Sequence, residues 1–219
     1  MPGPCPPRRS IGPFLAFEGL DGSGKTTQAG LLLGALRSPG QRPLLLREPS
    51  DGPAGRHIRE LALGRRPPLD PAREMALFLE DRAWDVENNI LPALRAGRAV
   101  IIDRYILSNA AYQGARGPLS PEAVLEANLG FPMPDLTFLL EAGLATCLGR
   151  IAARGQRDPN FENEDFLGRV QAVYDRLEVP GLVRLAAAGP KDGIHRRILS
   201  AVGRLDPSLV PDPSPATPG

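Results

Sequence analysis

"FEGLDGSGKTTQ", residues 17–28, decides how the rest of the chain is read. A short apolar run, "PFLAFEG" (13–19), leads into it, and a helically spaced run, "KTTQAGLLLGALR" (25–37), leaves it. Between them Gly19, Leu20, Asp21, Gly22, Ser23, Gly24, Lys25 and Thr26 fit G-x-x-x-x-G-K-[ST], a strand-to-helix turn. In such a turn the backbone N–H groups converge on phosphate oxygens, and the helix behind points the positive end of its dipole at the same spot. Lys25 is one of two lysines among 26 basic residues; the rest are arginines. An ammonium is a compact charge on a flexible stem that follows β- and γ-phosphates, where a planar guanidinium is bulkier. Thr26 supplies a hydroxyl for Mg²⁺, and Thr27 continues the nucleotide-binding run. Asp21 stands out as a carboxylate in a loop otherwise suited to an anion.

Working outward, "RPLLLREP" (42–49), "RAVIIDRY" (98–105), "PDLTFLLEA" (134–142) and "GLVRLAAAG" (181–189) read as further buried strands. Helical spacing is expected over 53–64, 144–154, 163–178 and 191–204, with a polar loop over 155–162. Residues 70–97 read as one long helix, with Asp70 as N-cap, Pro71 in the first turn, Gly97 at the stop and a kink at Pro92. Strands alternating with helices predict a parallel sheet covered on both faces.

The bulk numbers narrow the classes. A chain of 219 residues with 42% hydrophobic content suits one α/β domain with a mobile flap. A net charge of +1 advertises no nucleic-acid partner. No apolar run approaches the roughly 20 residues that span a bilayer. Cys5 and Cys147, the only cysteines, suit a reducing compartment rather than a disulfide, so a cytoplasmic setting is expected. Residues 1–12 and the proline-rich 206–219 are expected to be disordered tails around a domain at 13–205.

The loop alone establishes only that a nucleoside triphosphate binds; switches, motors and kinases share it. The ordered set "FEGLDGSGKTTQ", "REP" (47–49), "LFLEDR" (77–82), "DRYILSNAAYQG" (103–114), "PDLTFLLE" (134–141) and "FENEDFL" (161–167) resembles the thymidylate kinases. The resemblance implies a three-layer P-loop kinase fold: a five-stranded parallel sheet with helices on both faces and a short flap near 150–162. It implies transfer of the γ-phosphoryl of ATP to dTMP, giving dTDP and ADP, with Mg²⁺ as cofactor, by a homodimer.

Residue roles follow from that resemblance. Asp103, at a strand end, is suited to holding Mg²⁺ with Thr26, directly or through water, and Arg104 to bridging donor and acceptor phosphates. Arg47 is placed near the acceptor phosphate, Glu48 near the site, and Pro49 stiffens the turn. Phe78 stacks on thymine, and Arg82, four residues on, meets a base carbonyl. Ser108, Asn109, Tyr112 and Gln113 touch base and sugar, with Tyr112 in the space of a ribose 2′-hydroxyl. Asp21 approaches the acceptor sugar. Ser50, Glu80 and Leu107 depart from the residues most or many members carry. Some members hold an arginine in the loop where this chain has Gly22, and such chains as this take it from the flap. Arg150, Arg154 and Arg157 are the candidates, and the sequence leaves open which of them contacts phosphate.

Two rival readings remain at this stage: a relative preferring another monophosphate or a nucleoside, and a nucleotide-dependent switch. Arg47, Arg82 and Arg104 favour an acceptor that already carries phosphate. The absence of a guanine-reading N-K-x-D stretch counts against a GTP switch.

Overall fold

The structure, a computed structural model, describes residues 11–37, 42–153 and 164–211. Five short strands form it at the centre: β1 (Phe14–Glu18), β2 (Leu44–Arg47), β3 (Val100–Asp103), β4 (Leu136–Glu141) and β5 (Leu182–Ala186). They lie in the order β2-β3-β1-β4-β5, every neighbouring pair parallel. The helices between them are α1 (Lys25–Ala35), α2 (Pro53–Ala62), α3 (Pro71–Asp85), α4 (Leu91–Arg95), α5 (Ile106–Arg116), α6 (Pro121–Ala127), α7 (Leu144–Ala153), α8 (Glu164–Tyr174) and α9 (Lys191–Leu205).

Alternation along β1 builds both sides of the sheet, because successive strand side chains point to opposite faces. Leu15 and Phe17 pack with Leu32, Phe138 and Ile198 on one face. Phe14 and Ala16 pack with Ile90, Ile102 and Tyr105 on the other. Phe17 is fully buried, so Phe17→Ala would cost about 3–5 kcal/mol.

Register positions the site. Phe17 and Arg47 both pair with Asp103, so β1, β2 and β3 end at one level. The loops after them open at the same edge. The connection from β1 runs past β3 to β2, whereas that from β3 crosses β1 to β4, and in open parallel sheets ligands bind at the carboxyl ends beside such a switch point.

The long helix expected over 70–97 is cut into three. Asp70 caps α3 as read, accepting from the N–H groups of Ala72 and Arg73. Val86–Ile90 is a π-turn, in which the Leu91 N–H reaches the Val86 carbonyl, and α4 follows. Proline lacks an N–H and its ring crowds the carbonyl four residues back; one wide turn carries the helix through Pro92 without a break.

Two further departures concern the edges and a missed helix. Residues 206–211, expected in the tail, hold an anchored turn: Pro207–Leu209 forms a 3₁₀ turn, Leu209 is buried, and the Arg37 N–H donates to its carbonyl at 2.8 Å. Proline in the first position of such a turn is tolerated, so a proline-rich composition did not preclude it. At the other end the Gly12 N–H donates to Leu94 O at 2.8 Å. Helix α6 was not anticipated, although Ser120 caps it through the Ala123 N–H and Pro121 begins it, a local signature of a helix start.

Candidate active site

The phosphate loop leaves β1 at Gly19 and enters α1 at Lys25, with Gly24 as N-cap in the left-handed region (φ 105°). Gly22 is also left-handed (φ 80°), and a Cβ there would lie 2.5 Å from the Cys147 carbonyl oxygen of α7. No side chain fits position 22 without moving α7, which is the physical reason the loop carries no arginine there. The Lys25 ammonium folds back on its own loop, donating to Gly19 O at 2.9 Å and Leu20 O at 2.7 Å. Burial pushes its pKa down to about 8, aided by Arg104 and resisted by Asp21, Asp103 and Glu18.

Thr26 Oγ1 donates to Asp103 Oδ2 at 2.5 Å, joining the start of α1 to the end of β3. Asp103 Oδ1 is buried with no hydrogen-bond partner. An orphaned carboxylate oxygen beside a loop hydroxyl is a donor set of hard oxygens, the kind a divalent cation such as Mg²⁺ takes. Ser23 Oγ is likewise buried without a partner, whereas Thr27 lies on an exposed face of α1.

Arg104 follows Asp103 in the left-handed region (φ 73°), a costly conformation for a residue with a side chain. Its neighbours hold it there. The Arg104 N–H donates to Phe17 O at 2.9 Å. Its guanidinium donates to Asp21 Oδ1 at 2.5 Å, Ser108 Oγ at 3.2 Å and Tyr112 Oη at 3.3 Å, and lies 4.9 Å from the Tyr112 ring centroid. Burial works to raise the Asp21 pKa, but the positive charges of Arg104 and Lys25 overcome it and hold the carboxyl well below the usual carboxylate range.

Beneath this cluster sits Glu18, fully buried at the end of β1 and not anticipated as a site residue. Its Oε1 accepts from the Tyr105 N–H at 2.9 Å and its Oε2 from Ser108 Oγ. A carboxylate from another strand thus satisfies orphan donors at the start of α5 and fixes the turn that carries Arg104. Burial pushes its pKa up, against the hydrogen bonds from Ser108.

One cavity of about 800 Å³ runs from Thr26 and Asp103 to Phe78, Asn109 and Gln113. Arg47, Glu48, Pro49, Arg82, Arg104, Ser108 and Tyr112 line it too, so the separate motifs of the acceptor reading meet at one place. Arg82 is 1% exposed. It pairs bidentately with Glu48, through Nε to Oε1 at 3.2 Å and Nη2 to Oε2 at 2.5 Å. Burial pushes Glu48 up to about 7, with Arg82 opposing. Gln113 Oε1 is buried without a partner.

The departures now have physical accounts. Ser50 donates its hydroxyl to Asp81 Oδ1 at 2.5 Å and its N–H to Oδ2 at 2.8 Å, and accepts from the Gly52 N–H at 2.9 Å. Glu80 forms a surface ion pair with Arg73 at 3.3 Å, and Leu107 is buried in the core. Arg59, unread in the sequence, donates to the carbonyls of Pro49 (2.7 Å) and Ser50 (2.5 Å) and so braces the loop after β2. Asp85 is buried on the cavity wall, with Oδ1 accepting from Asn89 at 2.6 Å and Oδ2 unpartnered.

Of the three flap candidates, Arg150 lies on α7 and donates to Gly22 O at 3.1 Å, Ser23 O at 3.3 Å and Ala187 O at 3.3 Å. It ties the phosphate loop to the segment after β5. Arg154 and Arg157, with most of the expected flap, lie outside the described residues.

The sequence profile of the thymidylate kinase family matches residues 17–198, from the phosphate loop into α9. The chain belongs to the thymidylate kinase family. Thymidylate kinase of Xanthomonas campestris pv. campestris (strain B100) is 42% identical over 191 residues, 87% of this chain and 83% of that one. Thymidylate kinase of Desulfotalea psychrophila is 38% identical over 195 residues, 89% of this chain and 96% of that one. Among solved structures, thymidylate kinase from Candida albicans superposes with a TM-score of 0.75 at 25% identity, over 92% of this chain and 96% of that one. The five-stranded parallel sheet with flanking helices is the thymidylate kinase form of the P-loop fold.

Proposed function

We propose that the cavity holds dTMP with its phosphate facing the loop that binds ATP, and that the residues joining the two ends carry γ-phosphoryl transfer to give dTDP and ADP. The observation that supports this most directly is the continuity of the cavity: Thr26 of the phosphate loop and Phe78 of α3 line the same space. A switch has no need of a second compartment opening onto the transferred phosphate.

Each residue has a task within that reading. The loop N–H groups and Lys25 take the donor phosphates, Lys25 exchanging its two loop carbonyls for phosphate oxygens. Arg47 and Arg104 stand where an acceptor phosphate enters. Phe78 offers a flat apolar face for a base. Arg82 presents a donor and Gln113 Oε1 an unsatisfied acceptor, a pairing suited to the carbonyl and N–H edge of thymine and opposed to the amino edge of cytosine. Tyr112 and Asp21 face the sugar. Thr26 and Asp103 would hold Mg²⁺, which when bound offsets charge on the phosphate oxygens. The protein's share of catalysis is positioning and fixed positive charge, since phosphoryl transfer leaves little covalent chemistry to the enzyme.

We further propose a cytoplasmic homodimer without nucleic-acid or membrane partners. The near-neutral charge supports the absence of a nucleic-acid partner and the buried free thiol of Cys147 a reducing compartment, the dimer follows from the family resemblance alone, and no helix among the described residues is long and apolar enough to cross a membrane.

The test is ADP release with ATP·Mg²⁺ and each nucleoside monophosphate in turn, with thymidine as the nucleoside control. Strong stimulation by dTMP alone is expected. Stimulation by thymidine, by another monophosphate in preference, or by none of them would overturn the assignment.

A further inference from the structure

Arg82 can read a base only if its charge is held still, and what holds it comes partly from outside the cavity. A guanidinium has five N–H donors. Nε and one N–H of Nη2 go to Glu48. The two of Nη1 go to Asn109 Oδ1, at 3.2 Å, and to Asn128 Oδ1. One N–H, on Nη2, is left for the cavity that Arg82 lines.

Asn128 sits at the C-cap of α6, 46 positions after Arg82, and is 1% exposed. Its orientation is forced. Nδ2 donates to Val124 O at 2.7 Å and to Asn109 Oδ1 at 3.1 Å, which turns Oδ1 onto Arg82. The bond from Asn128 also decides what Asn109 shows. With Oδ1 accepting from both Arg82 and Asn128, Asn109 has only its Nδ2 left, near Met75 Sδ at 3.7 Å. A buried asparagine that orients two cavity-lining groups, without lining the cavity itself, acts on the ligand only through them.

We propose that Asn128 is a positioning residue for acceptor-base recognition: it locks Arg82 and Asn109 so that both present N–H donors to a base carbonyl. The proposal rests on the reading of the cavity as the dTMP site. Removing the Asn128 oxygen frees one Nη1 hydrogen and lets the guanidinium turn about its Glu48 pair. The arginine then stays charged and buried but loses its fixed direction. Discrimination by hydrogen bonding depends on that direction, because a site built for one donor–acceptor pattern rejects the opposite pattern by leaving buried groups unpaired.

The experiment compares steady-state kinetics of the full chain and of Asn128→Ala, Asn128→Leu and Asn128→Asp with dTMP, dCMP and ATP, alongside melting temperatures. Leu fills similar volume without the oxygen, which separates lost packing from a lost acceptor; Asp keeps an oxygen facing Arg82. The expected result is a KM for dTMP raised at least tenfold in the Ala and Leu variants. The dTMP-to-dCMP ratio of kcat/KM should fall at least tenfold, with the KM for ATP within twofold. Asp should recover only part of both, because it restores the acceptor for Arg82 but not the N–H that holds Asn109 Oδ1. The proposal is overturned if Leu leaves the dTMP KM and the ratio within twofold of the parent, or if the KM values for dTMP and ATP rise in parallel, as for a merely structural residue. A parent that releases no ADP with dTMP removes the assigned function and this proposal together; an active parent indifferent to Asn128 removes only the latter.

Discussion

The Arg104 guanidinium donates to Asp21 Oδ1 at 2.5 Å, tying the end of β3 to the phosphate loop 83 positions earlier. Tyr112, two turns into α5, completes a triangle, its hydroxyl 3.2 Å from Asp21 Oδ2 and 3.3 Å from Arg104 Nη2. Loop, strand end and helix are thereby set relative to one another before any substrate arrives. Such preorganisation lets fixed charge act without reorganising during reaction.

The Tyr112 ring packs edge-on against Phe166, centroids 6.1 Å apart, so its position is set by packing as well as by its hydroxyl. Tyr112→Phe should therefore keep the preference for deoxynucleotides, because Asp21 retains Arg104 and the bulk remains. Tyr112→Ala should lower the ratio of kcat/KM for dTMP over its ribo counterpart by tenfold or more. An unchanged ratio in the alanine variant removes Tyr112 as the group that excludes a 2′-hydroxyl.

Lys25→Ala should lower turnover by 10²–10³-fold or more, on the order of the 2.7–4 kcal/mol lost with a transition-state donor. The fold should persist. Lys25 is buried at a desolvation cost that already pulls its pKa to about 8, so deleting the charge relieves that cost while two loop carbonyls lose a donor. Circular dichroism and melting temperature close to the parent, with activity lost, are the expected pair of results.

Asp85 gives a pH-dependent stability. Burial raises its pKa from 3.8 to about 6, with the Asn89 hydrogen bond opposing and Asp81 adding to the rise. A carboxyl raised on folding contributes stability that is fully present below its unfolded value and lost as pH rises through its folded value. Asp85→Asn should thus stabilise the protein at pH 7.5 by about 1–2 kcal/mol, less than the full shift implies because one edge faces the cavity. The advantage should fade between about pH 6 and pH 4. Chemical denaturation of both proteins at three pH values checks it, and a difference independent of pH would assign the effect to packing.

What the sequence made legible was local. The phosphate loop, the apolar strand runs and the Asp70 cap are each written within a few neighbouring residues, and each lies where the pattern placed it. Asp103, Arg104 and Phe78 could be named because motifs supplied them, and the strand register explains why they meet. Glu18, Asn128 and Asp85 carried no such mark. Their meaning lies in partners far along the chain, such as Glu18 with Ser108 or Asn128 with Arg82, and nothing at positions 18, 128 or 85 announces those pairings. Arg150 shows the same limit: the family resemblance made it one of three candidates for phosphate, and the folded chain has it on three backbone carbonyls. Only α6 had a readable signal that went unused, in Ser120 and Pro121.

Phosphoryl transfer needs positive charge around the transferring group. A side chain at position 22 would strike the Cys147 carbonyl, so the loop cannot supply an arginine there. Arg150 is engaged with the carbonyls of Gly22, Ser23 and Ala187, and Arg104 with Asp21, Ser108 and Tyr112. We propose that Arg154 or Arg157, the remaining flap candidates, supplies the additional cation. At least one of Arg154→Ala and Arg157→Ala should lower the single-turnover rate by 10²–10³-fold, about the 2.7–4 kcal/mol of a lost transition-state donor. ATP binding should weaken far less, because charge builds on the phosphoryl oxygens only during transfer. Single-turnover measurement is required, since flap opening can limit steady-state turnover and mask a chemical defect. If the alanine variants at 150, 154 and 157 all stay within a few-fold of the parent, the flap does not supply the charge. Arg104 and Lys25 must then carry it, and the single-turnover rate of Arg104→Ala should fall by at least the amount expected of the flap variants.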